Sequence, residues 1–204
     1  MNKRTLTSAV LIALTILMTV SVPVYAKPKT ETGTLKTVYV NTGFGEEVAL
    51  FRAGKRVWQE AVDVIPTDYY EQFGTPAWIP LGDAFWITYD YEVNAPSDNS
   101  WYIYTKAFDI PGEVVSASIS ITADNAYMLH VNGRLVGRDG NLFTPTDDIG
   151  PMNWQTPETY VVTKPLKEGS NNIVVYVRNY AGMDKTWQDN PTGLIFSIEI
   201  TYLE

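Results

Sequence analysis

No cysteine occurs anywhere in this chain of 204 residues. That excludes disulfide staples, thiolate metal ligands and cysteine nucleophiles together. Histidine is almost as scarce, His130 being the single example. A Ser–His catalytic unit would rest on that one residue, which stands in a strand pattern where packing is its ordinary role. Cations are few: 15 Lys and Arg stand against 23 Asp and Glu, for a net charge of −8. An acidic chain disfavours nucleic acid and anionic membranes as partners. Beyond Ala26 no apolar run reaches spanning length. No stretch beyond it holds a 3.6-residue apolar period for three turns, so few helices are expected.

Residues 1–26 read as a secretory signal peptide. Lys3 and Arg4 form a basic start, an apolar stretch runs from Leu6 to Val22, Pro23 breaks it, and Val24-Tyr25-Ala26 offers a small-x-small cleavage site. An uncleaved anchor is the competing reading, because the apolar stretch is close to spanning length. Cleavage removes two cations and no anion, which takes the net charge to about −10. The expectation is a secreted chain, extracellular or at the cell surface, with no membrane span after cleavage. Without disulfides such a domain depends on packing, metal ions or assembly.

Aromatic residues are plentiful, with 13 Tyr and 6 Trp. Both types join an apolar body to a polar tip, which suits sandwich cores and sugar-binding faces alike. The strongest local pattern runs from Val115 to Gly137. There Val115, Ala117, Ile119 and Ile121 alternate with serines, and Asn132-Gly133 supplies the two positive-φ positions of a type I′ hairpin. Further strands are expected at Leu35–Val40, Glu47–Phe51, Ala84–Tyr91, Trp101–Phe108, Val114–Thr122, Ala126–Val131, Arg134–Val136, Glu158–Thr163, Asn172–Asn179 and Leu194–Tyr202. Turn residues separate most of them. Glu60 to Tyr70 has room for a helical turn limited by Pro66. Strand 172–179 is apolar on both faces and is expected to be central. Strand 194–202 is expected to have one core face (Leu194, Phe196, Ile198, Ile200, Tyr202) and one face mostly wet (Ile195, Ser197, Glu199, Thr201). Val115, Ile119, Ile121, Leu129, Ile173, Val175, Phe196 and Ile198 are the expected core. The fold class is all-β, an antiparallel jelly-roll β-sandwich.

The order of residues resembles the galactose-binding-domain-like jelly rolls, accessory modules found beside glycosidase and other secreted catalytic domains. The resemblance rests on Trp78-Ile79, on the run Tyr102 to Pro111, and on Ile121-Thr-Ala-Asp-Asn-Ala-Tyr. It continues through the Val131-Asn-Gly turn and Trp154 before a strand to Leu166-Lys-Glu-Gly-Ser-Asn-Asn-Ile-Val-Val and Gly193-Leu-Ile-Phe. It covers residues 58–204 and leaves a β-rich segment, 27–57, outside. The resemblance implies the fold, a packing role for Trp154 and, in many such modules, one structural calcium. It does not by itself name a ligand.

Calcium takes six to eight oxygens from carboxylates and loop carbonyls, and Asp147-Asp148 lie in a loop flanked by Gly and Pro. Asp90 and Glu92 form a weaker pair, and no diagnostic calcium spacing occurs. Paired carboxylates for glycoside hydrolysis have no motif to mark them. The chain therefore reads as non-catalytic.

Two connections exceed hairpin length, Gly137 to Pro157 and Tyr180 to Gly193, and long ordered loops on a rigid scaffold commonly carry binding. A sugar ring needs an aromatic platform flanked by amide, carboxylate or guanidinium groups. Tyr180, Trp187, Asp189 and Asn190 share one loop, Arg178 and Asn179 stand at its entrance, and Arg138 and Asp139 lie in the other. Glycan binding at or outside the cell surface is the leading expectation. The alternative is a self-assembling subunit of an extracellular layer, sheath or filament, in which the segment 27–57 adds a strand to a neighbour's sheet.

Overall fold

In the strand Glu113–Asp124 the alternation seen in the sequence becomes a buried stripe, because a strand turns successive side chains to opposite faces. Ala117, Ile119, Ile121 and Ala123 are all buried in one cluster. The computed structural model describes residues 33–43, 47–52, 55–64, 78–89, 100–143, 153–180 and 192–204. From Gly33 to Glu204 the chain is one compact unit. The signal-peptide reading of 1–26 lies outside the described residues. No helix among the described residues is long and apolar enough to cross a membrane.

Twelve strands are described: β1 (Leu35–Asn41), β2 (Glu47–Arg52), β3 (Lys55–Glu60), β4 (Val62–Val64), β5 (Trp86–Thr88), β6 (Trp101–Ile110), β7 (Glu113–Asp124), β8 (Ala126–Val131), β9 (Arg134–Asp139), β10 (Glu158–Val161), β11 (Gly169–Arg178) and β12 (Gly193–Leu203). One sheet runs β10-β7-β12-β5-β4, with β1 also paired to β12, and the other runs β3-β2-β6-β11-β8-β9. All pairings are antiparallel. From β6 to β12 every connection except the β8–β9 hairpin crosses between the sheets. The protein is an all-β antiparallel sandwich, as its sequence predicts.

The main core lies between the sheets. Ile119, Ile121, Phe196 and Ile198 of the first face Tyr127, Leu129, Ile173 and Val175 of the second. β11 is interior, between β6 and β8. The hairpin forms as expected, with Asn132 at φ 50 and Gly133 at φ 76.

One expectation is corrected and two are made more definite. Val115 is 48% exposed. The β7–β12 ladder pairs Thr201 with Ser116 and Tyr202 with Val114, so Val115 is the unpaired residue of a bulge. One extra residue shifts the phase of the pleat, and Val114 takes the inward place. The outer side of β12 is not wet throughout either. Ile195 is buried there with Trp78 and Trp86, whose rings stack at 4.4 Å, and Trp154 packs against the same cluster. Finally, within the stretch 60–70 that had room for a helical turn, Val62–Val64 is a strand paired with β5, and 65–70 lie outside the described residues. Nearer the N-terminus, Leu35–Asn41 pairs along its length with the chain's own β12, and Glu47–Arg52 pairs with β6.

Candidate functional site

Four strand ends of the second sheet meet at one end of the sandwich. Arg178, last in β11, pairs across to Trp101, first in β6, and to Ala126, first in β8. Asp139, last in β9, stands opposite Tyr127. Chain reversal from strand to strand therefore brings Trp101, Arg178–Tyr180 and Arg138–Asp139 to one place, although they span almost eighty residues of sequence.

Arg178 is only 8% exposed. Its Nη1 donates to the Leu142 carbonyl at 2.6 Å, and its guanidinium lies 5.2 Å from the Trp101 ring centre. The Phe143 ring sits 6.0 Å from Trp101, tilted by 46°, and is 71% exposed. The Arg178 guanidinium over its ring and the exposed Phe143 ring beside it make Trp101 part of an aromatic surface. Tyr180 closes the site from the next residues. Its hydroxyl accepts from the Asn141 backbone N–H at 2.6 Å, and its own N–H donates to Asn125 Oδ1 at 2.7 Å. Burial raises the Tyr180 hydroxyl above its ordinary pKa. The Asn141 contact and Arg178 work against that rise, and the Asp139 carboxylate adds to it.

Behind this surface lies a polar layer. The Asn179 N–H donates to the Ser100 carbonyl at 3.0 Å, while its side chain is fully buried and its amide has no hydrogen-bond partner. Asn153 Nδ2 donates to the Asn125 carbonyl at 2.9 Å. Asp124 is buried, and its Oδ2 accepts from Trp78 Nε1 at 2.9 Å. Burial pushes the Asp124 carboxyl up to about 7, against the pull of the Trp78 hydrogen bond.

Beside the site, Tyr127 Oη donates to Glu158 Oε2 at 2.8 Å and lies 3.0 Å from the Tyr160 hydroxyl. The Tyr160 ring occupies the space where a Cβ on Gly137 would fall, so glycine is required at that point of β9. Burial raises the Glu158 carboxyl, the Tyr127 bond lowers it, and nearby Asp139 raises it further.

Of the residues expected to bind a ligand, Arg138, Asp139, Arg178, Asn179 and Tyr180 are thus gathered at one end. Arg178 and Asn179 are buried there. Trp187, Asp189, Asn190, Asp147, Asp148, Asp90 and Glu92 lie outside the described residues. Among the described residues no group of three or more His, Cys, Asp or Glu side chains could hold a metal ion. His130 packs edge-on against Tyr176, with ring centres 5.6 Å apart. Trp101, Asn141 and Phe143 belong to the site and escaped the sequence reading. Only the β6–β11 register, which sets Trp101 beside Arg178, marks the first of them.

No family model matches the chain, and no curated protein matches it. Solved structures do. Part of an α-L-rhamnosidase from Streptomyces avermitilis, solved with L-rhamnose, is similar at a TM-score of 0.43 and 20% identity, over 62% of this chain and 11% of that one. A β-glucuronidase from an uncultured Clostridium species is similar at 0.42 and 14% identity, over 87% of this chain and 31% of that one. A β-D-mannosidase from Dictyoglomus thermophilum is similar at 0.42 and 14% identity, over 79% and 22%. The chain thus spans about a tenth to a third of the length of these enzymes.

Proposed function

We propose that this protein is a non-catalytic module that binds a glycan at the Trp101–Phe143 end of its second sheet. The observation that carries the reading is the exposed Phe143 ring beside Trp101, with the Asn141–Tyr180 contact next to it and Arg138 exposed at the same end of the sheet. The apolar face of a pyranose ring packs on an aromatic surface, and its hydroxyls take hydrogen bonds from the rim. The buried Arg178 fixes the platform from behind, which lowers the ordering cost of binding.

The test is retention on a panel of insoluble polysaccharides and an oligosaccharide array, followed by calorimetry on any hit. Phe143→Ala and Arg138→Ala should each weaken binding at least tenfold and leave the melting temperature unchanged. A chain that binds a glycan equally well with both substitutions has its site elsewhere, and one that retains no glycan refutes the proposal.

A further inference from the structure

The first sheet ends, beyond β12, on β1. Thr34 and Glu204 exchange both backbone hydrogen bonds, and the Thr42 N–H donates to the Phe196 carbonyl at 3.0 Å. In an antiparallel ladder the bonded pairs alternate, so residues 34, 36, 38, 40 and 42 turn their backbone toward β12. Leu35, Thr37, Tyr39 and Asn41 turn theirs the other way, to an edge that no described strand covers. Leu35 and Tyr39 are each 60% exposed, and Thr37 is exposed between them.

The other sheet edges are blunted in the ways that keep strands from pairing with strangers. β4 has three residues and β10 four. β9 carries Arg134, Arg138 and Asp139 and a register shift opposite Leu129–His130. β3 carries Lys55, Arg56 and Glu60 in its six residues. β1 differs: Leu-Lys-Thr-Val-Tyr-Val-Asn has seven residues, no proline and no bulge, and its one charge, Lys36, is paired with Glu204. On a chain of net charge −8, this edge is locally neutral, so repulsion between two copies is small there.

We infer that β1 pairs with β1 of a second copy, antiparallel about a two-fold axis at Val38, joining the two first sheets into one. The register follows from the backbone. Only odd residues present free groups outward, so odd must face odd; full overlap of the seven-residue strands about Val38 then sets Leu35 opposite Asn41 of the other copy and Thr37 opposite Tyr39. This places β-branched and aromatic side chains opposite one another on the outer face, and Val38 against Val38 on the core side. No like charges meet. The contact is isologous and closes at two copies, so it consumes the open edge and builds no fibre. It is independent of glycan binding, whose residues lie on the other sheet.

The experiment is sedimentation velocity on the purified chain over a concentration series, with amide exchange read at Thr37 and Tyr39. The wild type should show a concentration-dependent dimer, with both amides slowing as dimer forms. Thr37→Pro removes an N–H that faces outward, keeps the backbone bonds to β12 and gives up only the exposed 3.4 Å contact between the Thr37 and Thr201 hydroxyls, and should give a folded monomer. Thr37→Lys with Tyr39→Lys sets lysine opposite lysine and should abolish the dimer in low salt. Thr37→Glu with Tyr39→Lys sets opposite charges across the same register and should restore it. A wild type that stays monomeric at every concentration overturns the inference. So does a dimer that persists in both Thr37→Pro and the double-lysine variant, because its contact then lies elsewhere.

Discussion

The two ends of β11 are built from the same residue, asparagine, and differ in how fully its amide is used. At the hairpin end, Asn132 Oδ1 accepts from the Asn172 N–H, and its Nδ2 donates to the Pro165 carbonyl and to Asn171 Oδ1, all within 2.9 Å. Asn171 Nδ2 in turn donates to the carbonyls of Lys167 and Gly169. At the other end, Asn125 and Asn153 are engaged, but the Asn179 amide is buried without a partner and the Asp124 carboxyl is held out of water. Each unsatisfied buried polar group costs about 1–3 kcal/mol. At the hairpin end the Asn132 and Asn171 amides are used in full. The other end carries that cost at the place where the exposed Phe143 ring stands beside Trp101.

Four changes sharpen or break this contrast. Phe196→Ala, in the core midway between the ends, sets the scale and should cost about 3–5 kcal/mol in denaturant unfolding. A smaller loss would mean that the core collapses around the cavity.

Asp124 comes next, through pH. Its folded carboxyl keeps its proton up to about 7, whereas the unfolded one releases it near 3.8. Between those values the folded state binds more protons, so this group's contribution is greatest below 3.8 and is lost as pH rises to 7. Asp124→Asn keeps an acceptor for Trp78 and does not titrate. Stability of wild type relative to this variant should therefore fall by up to about 4 kcal/mol from pH 4 to pH 8. A difference that stays flat over that range would show that Asp124 is ionised throughout.

Asn132→Gly keeps the left-handed turn and deletes three side-chain hydrogen bonds, and should cost about 1–3 kcal/mol. Asn179→Leu replaces an amide that bonds nothing by an apolar group of similar volume. It should change stability by less than about 1 kcal/mol, in either direction. If Asn179→Leu cost as much as Asn132→Gly in the same melts, the two ends would be equivalent and the contrast would be lost.

The strands were legible where a pattern is local. Alternation in 117–123 and 194–202, and the Asn-Gly dipeptide at 132–133, express their structure within a few residues, because pleat and turn geometry are properties of neighbouring dihedrals. Lys55–Glu60 and Val62–Val64 show no such alternation, and they are strands because β2 and β5 are there to pair with. The site was half legible. Arg138–Asp139 and Arg178–Tyr180 stood out as polar and aromatic residues at loop entrances. Phe143 stood in a loop with nothing to mark it, and Trp101 read as an ordinary first residue of a strand.

Composition and period, then, were enough to establish an all-β sandwich, its central strand and most of its inward residues. Hydrophobic burial acts on the periodicity of each segment separately, and the sequence displays that periodicity. Which residue fills the bulge at Val115, which second core covers Ile195, and which strand ends converge on Trp101 were decided by tertiary structure alone. All three depend on register between strands far apart in the chain, and register is set only when both partners are in place.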